Sequence, residues 1–224
     1  MSTVAAGVQN KVIHGDCLDV MPTISDKSID LIVTDPPYGV GISGGGSVGG
    51  GSYRGKVHSM GDFAKWDSVR LGREYFDEIL RIGKKVIVWG GNYYTDYLPP
   101  SRGWLVWYKR DGLPKRTFAD CELAWTSMDI NSSVFNCRWD GFIRDSKESK
   151  TGHPTQKALM IFEWCINEFT ENGDTVFDPF AGSGTTAIAC INTGRNYILI
   201  EKEKEYYDII NKRISEHELQ VTLC

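Results

Sequence analysis

Apolar residues along this chain come in short runs cut by Gly, Pro, Asp and Asn, and the runs switch between strand-like and helix-like periodicity. The run Ile29-Asp30-Leu31-Ile32-Val33-Thr34 predicts a buried strand over Leu31 to Thr34 that stops at Asp35. Lys11 to His14, Lys85 to Trp89, Thr175 to Phe177 and Tyr197 to Ile200 read the same way, each ending at a Gly, Asp or Glu. Trp104 to Tyr108 and Leu123 to Thr126 predict an antiparallel strand pair. Val69, Tyr75, Phe76, Ile79 and Leu80 have helical spacing, which predicts a helix over Asp67 to Ile82. A short helix is expected over Asp19 to Ile24. Longer ones are expected from Pro154 to Phe169, from Thr185 to Thr193 with Gly194 as C-cap, and from Glu203 to His217. Ser127 to Gly152 shows weak periodicity and reads as loops. The alternation of strands and helices implies an α/β domain whose mostly parallel sheet is covered on both faces.

Composition narrows this picture. The 224 residues suit one domain, and 41 % apolar residues suffice for its core. No apolar run is long enough to cross a membrane, and the N-terminal residues MSTVAAGVQNK lack the pattern of a secretion signal. The six cysteines are scattered without a C-x-x-C pair, which points to reduced thiols in a cytoplasm and away from a metal site. Cys17, Cys165 and Cys190 read as small core residues. A net charge of −4 argues against a nonspecific basic coat for nucleic acid, although Lys109 to Lys150 carries a mild local excess of positive charge.

The chemistry gathers at strand ends, where open α/β sheets bind ligands. Asp35-Pro36-Pro37-Tyr38-Gly39 follows one strand and sets an acid, two rigid prolines and a tyrosine there. Gly39 to Asp62 is a glycine-rich loop that fits a mobile lid. Asp178-Pro179-Phe180-Ala181-Gly182-Ser183-Gly184-Thr185-Thr186 follows another strand and opens a helix. Its glycines fit a nucleotide loop, and Glu201, with Lys202 beside it, ends the next strand where an acid can grip ribose hydroxyls. A carboxylate at Asp178 disfavours a pyrophosphate and tolerates a cation, as in S-adenosylmethionine. Asp16, followed by Cys17, lies at a further strand end that suits the adenine part, and Lys157 suits a ligand carboxylate at a helix start.

Together these motifs resemble the DNA amino-methyltransferases in the circularly permuted, beta-group order, and in particular small phage or prophage adenine enzymes. Asp35-Pro36-Pro37-Tyr38 matches the family's catalytic motif, and Phe180-Ala181-Gly182-Ser183-Gly184 its cofactor loop. Gly15-Asp16-Cys17-Leu18 and His153-Pro154-Thr155-Gln156-Lys157 match flanking motifs, with Ala158 where the family often has proline. The resemblance implies a Rossmann-like, mostly parallel seven-stranded sheet. It implies S-adenosylmethionine as cofactor, DNA as partner, a monomer or homodimer, and no metal. Methyl transfer to N6 of a flipped adenine is the implied reaction, with Asp35 and the Pro36 carbonyl accepting the amino hydrogens and Tyr38 stacking on the base. Asp at the first motif position favours adenine over the N4 of cytosine.

The resemblance also implies a small target-recognition region over about 109–150. Candidate DNA contacts are Tyr53, Arg54 and Lys56 in the glycine-rich loop, and Lys109, Arg110, Lys115, Arg116 and Arg138 beyond it. At most one of Trp104, Trp107, Trp125 and Trp139 is expected at a DNA surface. Three other readings stay open: N4-cytosine transfer, a non-catalytic binding partner of the same fold, and a dehydrogenase. RNA or a protein amide is also a conceivable acceptor, since the same geometry serves any flat amine or amide.

Overall fold

The computed structural model describes residues 10–39, 70–109, 119–140, 143–144 and 157–222. Eight strands form the main sheet: β1 (Lys11–His14), β2 (Ile29–Thr34), β3 (Gly83–Trp89), β4 (Trp104–Tyr108), β5 (Cys121–Thr126), β6 (Ser133–Asn136), β9 (Thr175–Asp178) and β10 (Asn196–Glu201). A separate two-stranded ribbon pairs β7 (Trp139–Asp140) with β8 (Ile143–Arg144). The order across the main sheet is β1-β10-β9-β2-β3-β5-β4-β6. Strands β1, β10, β9, β2 and β3 all run parallel. β5 runs antiparallel to both β3 and β4, and β4 pairs in parallel with β6.

Period-two side chains explain why both faces are covered. On β2, Leu31 and Val33 enter one core and Ile32 the other; on β3, Ile87 and Trp89 oppose Val86 and Val88. The first core is closed by α3 (Leu159–Phe169), α4 (Thr185–Thr193) and α5 (Lys204–Thr222). The second is closed by α1 (Cys17–Val20), a following turn at Met21–Thr23, and α2 (Arg73–Ile82). Phe76, Ile79 and Ile82 recur at helical spacing and are the buried stripe of α2.

Several expectations need correction. The sheet has eight strands, not seven. The extra strand, β6, lies in a stretch read as loop, because an edge strand with most side chains in solvent shows no apolar alternation. The second helix begins at Arg73, not Asp67; residues 67–69 lie outside the described residues, and Gly72 at the N-cap is extended. α3 begins at Leu159 after an extended Ala158, while Pro154 lies outside the described residues. The C-cap at Gly194 is as expected, with φ of 72° and its N–H bonded to Cys190 and Ile191 carbonyls. Cys17, Cys165 and Cys190 are buried, and so is Cys137. No helix among the described residues is long and apolar enough to cross a membrane.

Candidate functional site

Because five strands run parallel, Asp16, Asp35, Gly90, Asp178 and Glu201 all fall at the same, carboxyl edge of the sheet. The antiparallel β5 brings its amino end to that edge, and β4 brings its carboxyl end. Glu122 on β5 sits opposite Trp107, one residue pair from Tyr108. Lys109, the next residue along the chain, is therefore beside it. Sequence reasoning passes over Glu122; the only signal it offers is an acid inside an otherwise apolar strand.

The half of the edge at β9, β10 and β1 is held by neutral donors. Asp178 is buried, with Thr34 donating to Oδ1 at 2.7 Å and Thr186 to Oδ2 at 2.5 Å. The Phe180 N–H adds a third bond at 3.1 Å. Burial drives its carboxyl up to about 6, against these three hydrogen bonds. Asp178 thus ties β9 to β2 at the point where the strand order reverses, and it pins the start of α4. Beside its expected role toward a ligand cation, Asp178 therefore has an internal one, with both oxygens accepting from protein donors.

Glu201 Oε2 accepts from the Gly182 N–H and Oε1 from the Glu203 N–H, both at 2.8 Å. Gly182 and Gly184 have φ of 52° and 76°, a region open to glycine, so the loop can turn tightly under that carboxylate. Ser183, Thr185 and Thr186 turn their hydroxyls inward: Ser183 meets Thr185 at 3.2 Å, and Arg213 of α5 holds the Ser183 carbonyl at 3.0 Å. Pro179 is buried, as is Cys17, whose thiol is pushed up to about 12 chiefly by burial, so its side chain is core and not a ligand group. Asp16 caps α1 through the Leu18 N–H at 3.0 Å and pairs with exposed Lys202 at 2.9 Å. Tyr75 and Phe180, with ring centres 5.9 Å apart, supply aromatic surface on the same side.

The other half of the edge is held by charge. Asp35 follows β2, with Oδ1 accepting from the Tyr38 hydroxyl and Oδ2 paired with Lys157 Nζ at 2.7 Å. Lys157 also lies 3.0 Å from Glu122 Oε2 and 3.3 Å from the Tyr38 oxygen. Lys109 completes the group, 2.8 Å from Glu122 Oε1. Burial pushes Asp35 above its ordinary value, Lys157 pulls it back and Glu122 pushes it further up. Burial would also raise Glu122, but Lys157 and Lys109 overcome it and hold the carboxyl at about 2. Lys157 is held well above its ordinary value: burial alone would lower it, and the Asp35 and Glu122 charges outweigh that.

Lys157, expected at a ligand carboxylate, is paired here with Asp35 and Glu122. Lys109, expected at DNA, pairs here with Glu122 and lies 5.6 Å from the Trp107 ring. Arg138 is exposed. Tyr53, Arg54, Lys56, Arg110, Lys115 and Arg116 lie outside the described residues, as do residues 40–62 of the glycine-rich loop. Trp107 and Trp125 are core residues, while Trp104 and Trp139 are half-buried.

The Pro36-Pro37 turn is braced from β3. Tyr94 donates its hydroxyl to the Pro37 carbonyl, and Tyr93 stacks on Tyr38 with ring centres 4.7 Å apart. The Arg70 guanidinium holds the Tyr93 carbonyl at 2.9 Å and lies 4.4 Å from the Tyr97 ring. Gly90 has φ of 68°, and a Cβ there would overlap the Tyr38 ring, so two independent constraints require glycine. The buttress residues Gly90, Tyr93 and Tyr94 are visible in the sequence only as an unassigned GGNYY segment.

A family model described as DNA methylase matches residues 91–212, more than half of the chain. That stretch holds Glu122, Lys157, the glycine loop and Glu201, and begins beyond Asp35 to Tyr38. Type II methyltransferase M2.DpnII of Streptococcus pneumoniae is 28% identical over 249 residues, which span 92% of this chain and 90% of that protein. Type II methyltransferase M.HinfI of Haemophilus influenzae is 29% identical, over 92% of this chain and 68% of that protein. Among solved structures, the M1.HpyAVI–SAM complex superposes with a TM-score of 0.58 at 25% identity, covering 91% of this chain and 98% of that one. The cytosine-N4-specific PvuII DNA methyltransferase shares the fold, with a TM-score of 0.59 at 16% identity over 94% of this chain and 91% of that one.

Proposed function

The chain belongs to the DNA methylase family, and from that premise we propose that it methylates N6 of an adenine flipped out of DNA, with S-adenosylmethionine as the methyl donor. The observation that carries the reading is the placement of Asp35 and Tyr38, on the braced Pro-Pro turn, along the same sheet edge as the Glu201-bound glycine loop.

The residues at the other half of the edge fit the cofactor. Each carboxylate oxygen of Glu201 keeps a second lone pair beyond its backbone bond, enough to accept from ribose hydroxyls. Asp16 can accept from the adenine amine, with Phe180 and Tyr75 offering ring faces. The loop N–H groups at the start of α4 face the methionine end. The cofactor supplies a methyl group on a sulfonium centre, transferred while sulfur keeps the bonding electron pair.

Asp35 accepts a hydrogen bond from the target amine and orients the nitrogen lone pair toward that methyl. It also stabilises the positive charge that grows on nitrogen as the bond forms. The Pro36 carbonyl is the second acceptor, aimed by two prolines with fixed φ. Tyr38 stacks on the flipped base, offsetting part of the few kcal/mol, roughly, that unstacking costs. The proton that nitrogen loses passes to the Asp35 carboxylate and then to solvent. The adenine assignment rests on Asp at the first motif position. The proposed setting is the bacterial cytoplasm or a phage-infected host, with the protein acting as a monomer or homodimer. Arg138 and the basic residues of 53–56 and 110–116 are the proposed DNA contacts.

The test is transfer of labelled methyl to duplexes that lack adenine or lack cytosine. Label is expected in the cytosine-free duplex, with its loss when adenine is absent. Label confined to the adenine-free duplex overturns the N6 assignment. Cofactor binding without transfer to any DNA overturns the reaction.

A further inference from the structure

Both oxygens of Asp35 are already engaged, Oδ1 by the Tyr38 hydroxyl and Oδ2 by Lys157 at 2.7 Å. A target amine that needs this carboxylate must compete with those two donors for its lone pairs. The Tyr38 hydroxyl can swing its proton away about the C–O bond while the ring stays stacked on Tyr93. Lys157 has no such freedom: only 11% of its side chain is exposed, and a buried ammonium released from its anion needs another at once.

Glu122 is that second anion. Its Oε2 lies 3.0 Å from Lys157 Nζ, yet it is one of two buried side-chain polar atoms among the described residues that complete no hydrogen bond. The separation is short enough for attraction while the alignment is not that of a finished bond. Its other oxygen is anchored by Lys109 at 2.8 Å, so the carboxylate is held in place with Oε2 facing Lys157.

On the reading that Asp35 receives a target amine, we propose that Glu122 is a positioning residue which takes over Lys157 when that amine arrives, releasing Asp35 to orient it. The exchange leaves the count of charges in the group unchanged: two carboxylates and two ammonium groups before and after. It requires only a small shift of Nζ from one carboxylate to the other. A neutral side chain at 122 would leave Lys157 with Asp35 as its one anion among the described residues. The lone pairs meant for the amine would stay committed to the lysine, and the nitrogen would be poorly aimed in a bound complex that otherwise forms normally.

The experiment uses the full chain as wild type, Glu122→Gln and Glu122→Asp. Single-turnover methyl transfer is measured on one methylatable duplex, and S-adenosylmethionine affinity is measured by calorimetry. Glu122→Gln is expected to lower the transfer rate about 10- to 100-fold, with cofactor Kd and DNA KM changed by no more than about twofold. Glu122→Asp keeps the charge and is expected to recover part of that loss. A Glu122→Gln rate within about threefold of wild type overturns the proposal. So does a rate that falls in step with cofactor affinity, since that marks a merely structural role. A Glu122→Asp rate no better than Gln overturns it too. A wild-type chain that binds cofactor and methylates no DNA overturns the reading of the site, and this inference with it.

Discussion

At Asp178 and Glu201 every hydrogen-bond donor is a neutral group, either a threonine hydroxyl or a backbone N–H. At Asp35 and Glu122 the principal donors are lysines. These two stretches of one sheet edge solve the same problem, a carboxylate out of water, with different chemistry. Neutral donors fix geometry and leave lone pairs for a ligand to share. Lysines neutralise charge, and a substrate donor must compete with a full positive charge for the same acceptor. One half therefore suits a resident ligand added to a finished scaffold. The other suits a reacting group that must exchange partners to work.

Asp35→Ala separates the two halves most sharply. Methyl transfer is expected to fall by about 1,000-fold or more in single-turnover assays, while cofactor affinity stays within a few-fold of wild type. A parallel loss of cofactor binding would merge the two halves into one.

The next test separates them by pH. Asp178 holds its proton to about 6 when folded, against an ordinary value of 3.8. The native state is therefore favoured most below that ordinary value, and loses the advantage as pH rises through about 6. Asp178→Asn is expected to flatten this fall by about 3 kcal/mol in urea titrations run across that window. Glu122 has the opposite sign. Held at about 2, it adds stability present above its ordinary 4.5 and lost as pH falls toward 2. An Asn variant at 178 with an unchanged pH profile would show that hydroxyls neutralise a buried acid as well as lysines do.

Glu201→Ala removes the acceptor for two backbone N–H groups as well as the proposed ribose contact. Cofactor affinity is expected to drop about 10- to 100-fold by calorimetry, with stability lowered by about 1 to 3 kcal/mol. Glu201→Gln should recover much of the stability and less of the affinity.

The smallest expected effect is at Lys109. A lysine bound to a DNA phosphate steepens the salt dependence of affinity, by about 0.9 in the slope against log salt for each phosphate neutralised. Because Lys109 is spent on Glu122, Lys109→Gln is expected to leave that slope unchanged in binding titrations at several salt concentrations. A slope shallower by that full amount would return Lys109 to the DNA surface.

Much of this edge is legible before any coordinates. Strand ends carry the acids, and parallel strands put those ends together, so Asp16, Asp35, Asp178 and Glu201 could be placed from periodicity and breakers alone. The α4 boundaries are legible too, since a glycine turn opens that helix and Gly194 closes it. What escapes is what local pattern does not encode. β6 is an edge strand with Val134 63% exposed, so burial leaves no mark on its sequence. Glu122 and Lys109 reach the site only because β5 reverses direction and β4 reverses again.

Lys157 shows the division most sharply. Its charge and its place before a helix are local facts, and they admit a ligand carboxylate as readily as a protein one. Which anion it meets is decided by two residues distant in the chain, Asp35 and Glu122, brought within 3.0 Å of it by the sheet. The alternating α/β order, the strand-end motifs and the family resemblance are written locally in the chain, because they rest on short-range periodicity and turn chemistry. The tertiary structure alone decided which charges face one another, because a buried ion pair depends on strand direction and register across the whole sheet.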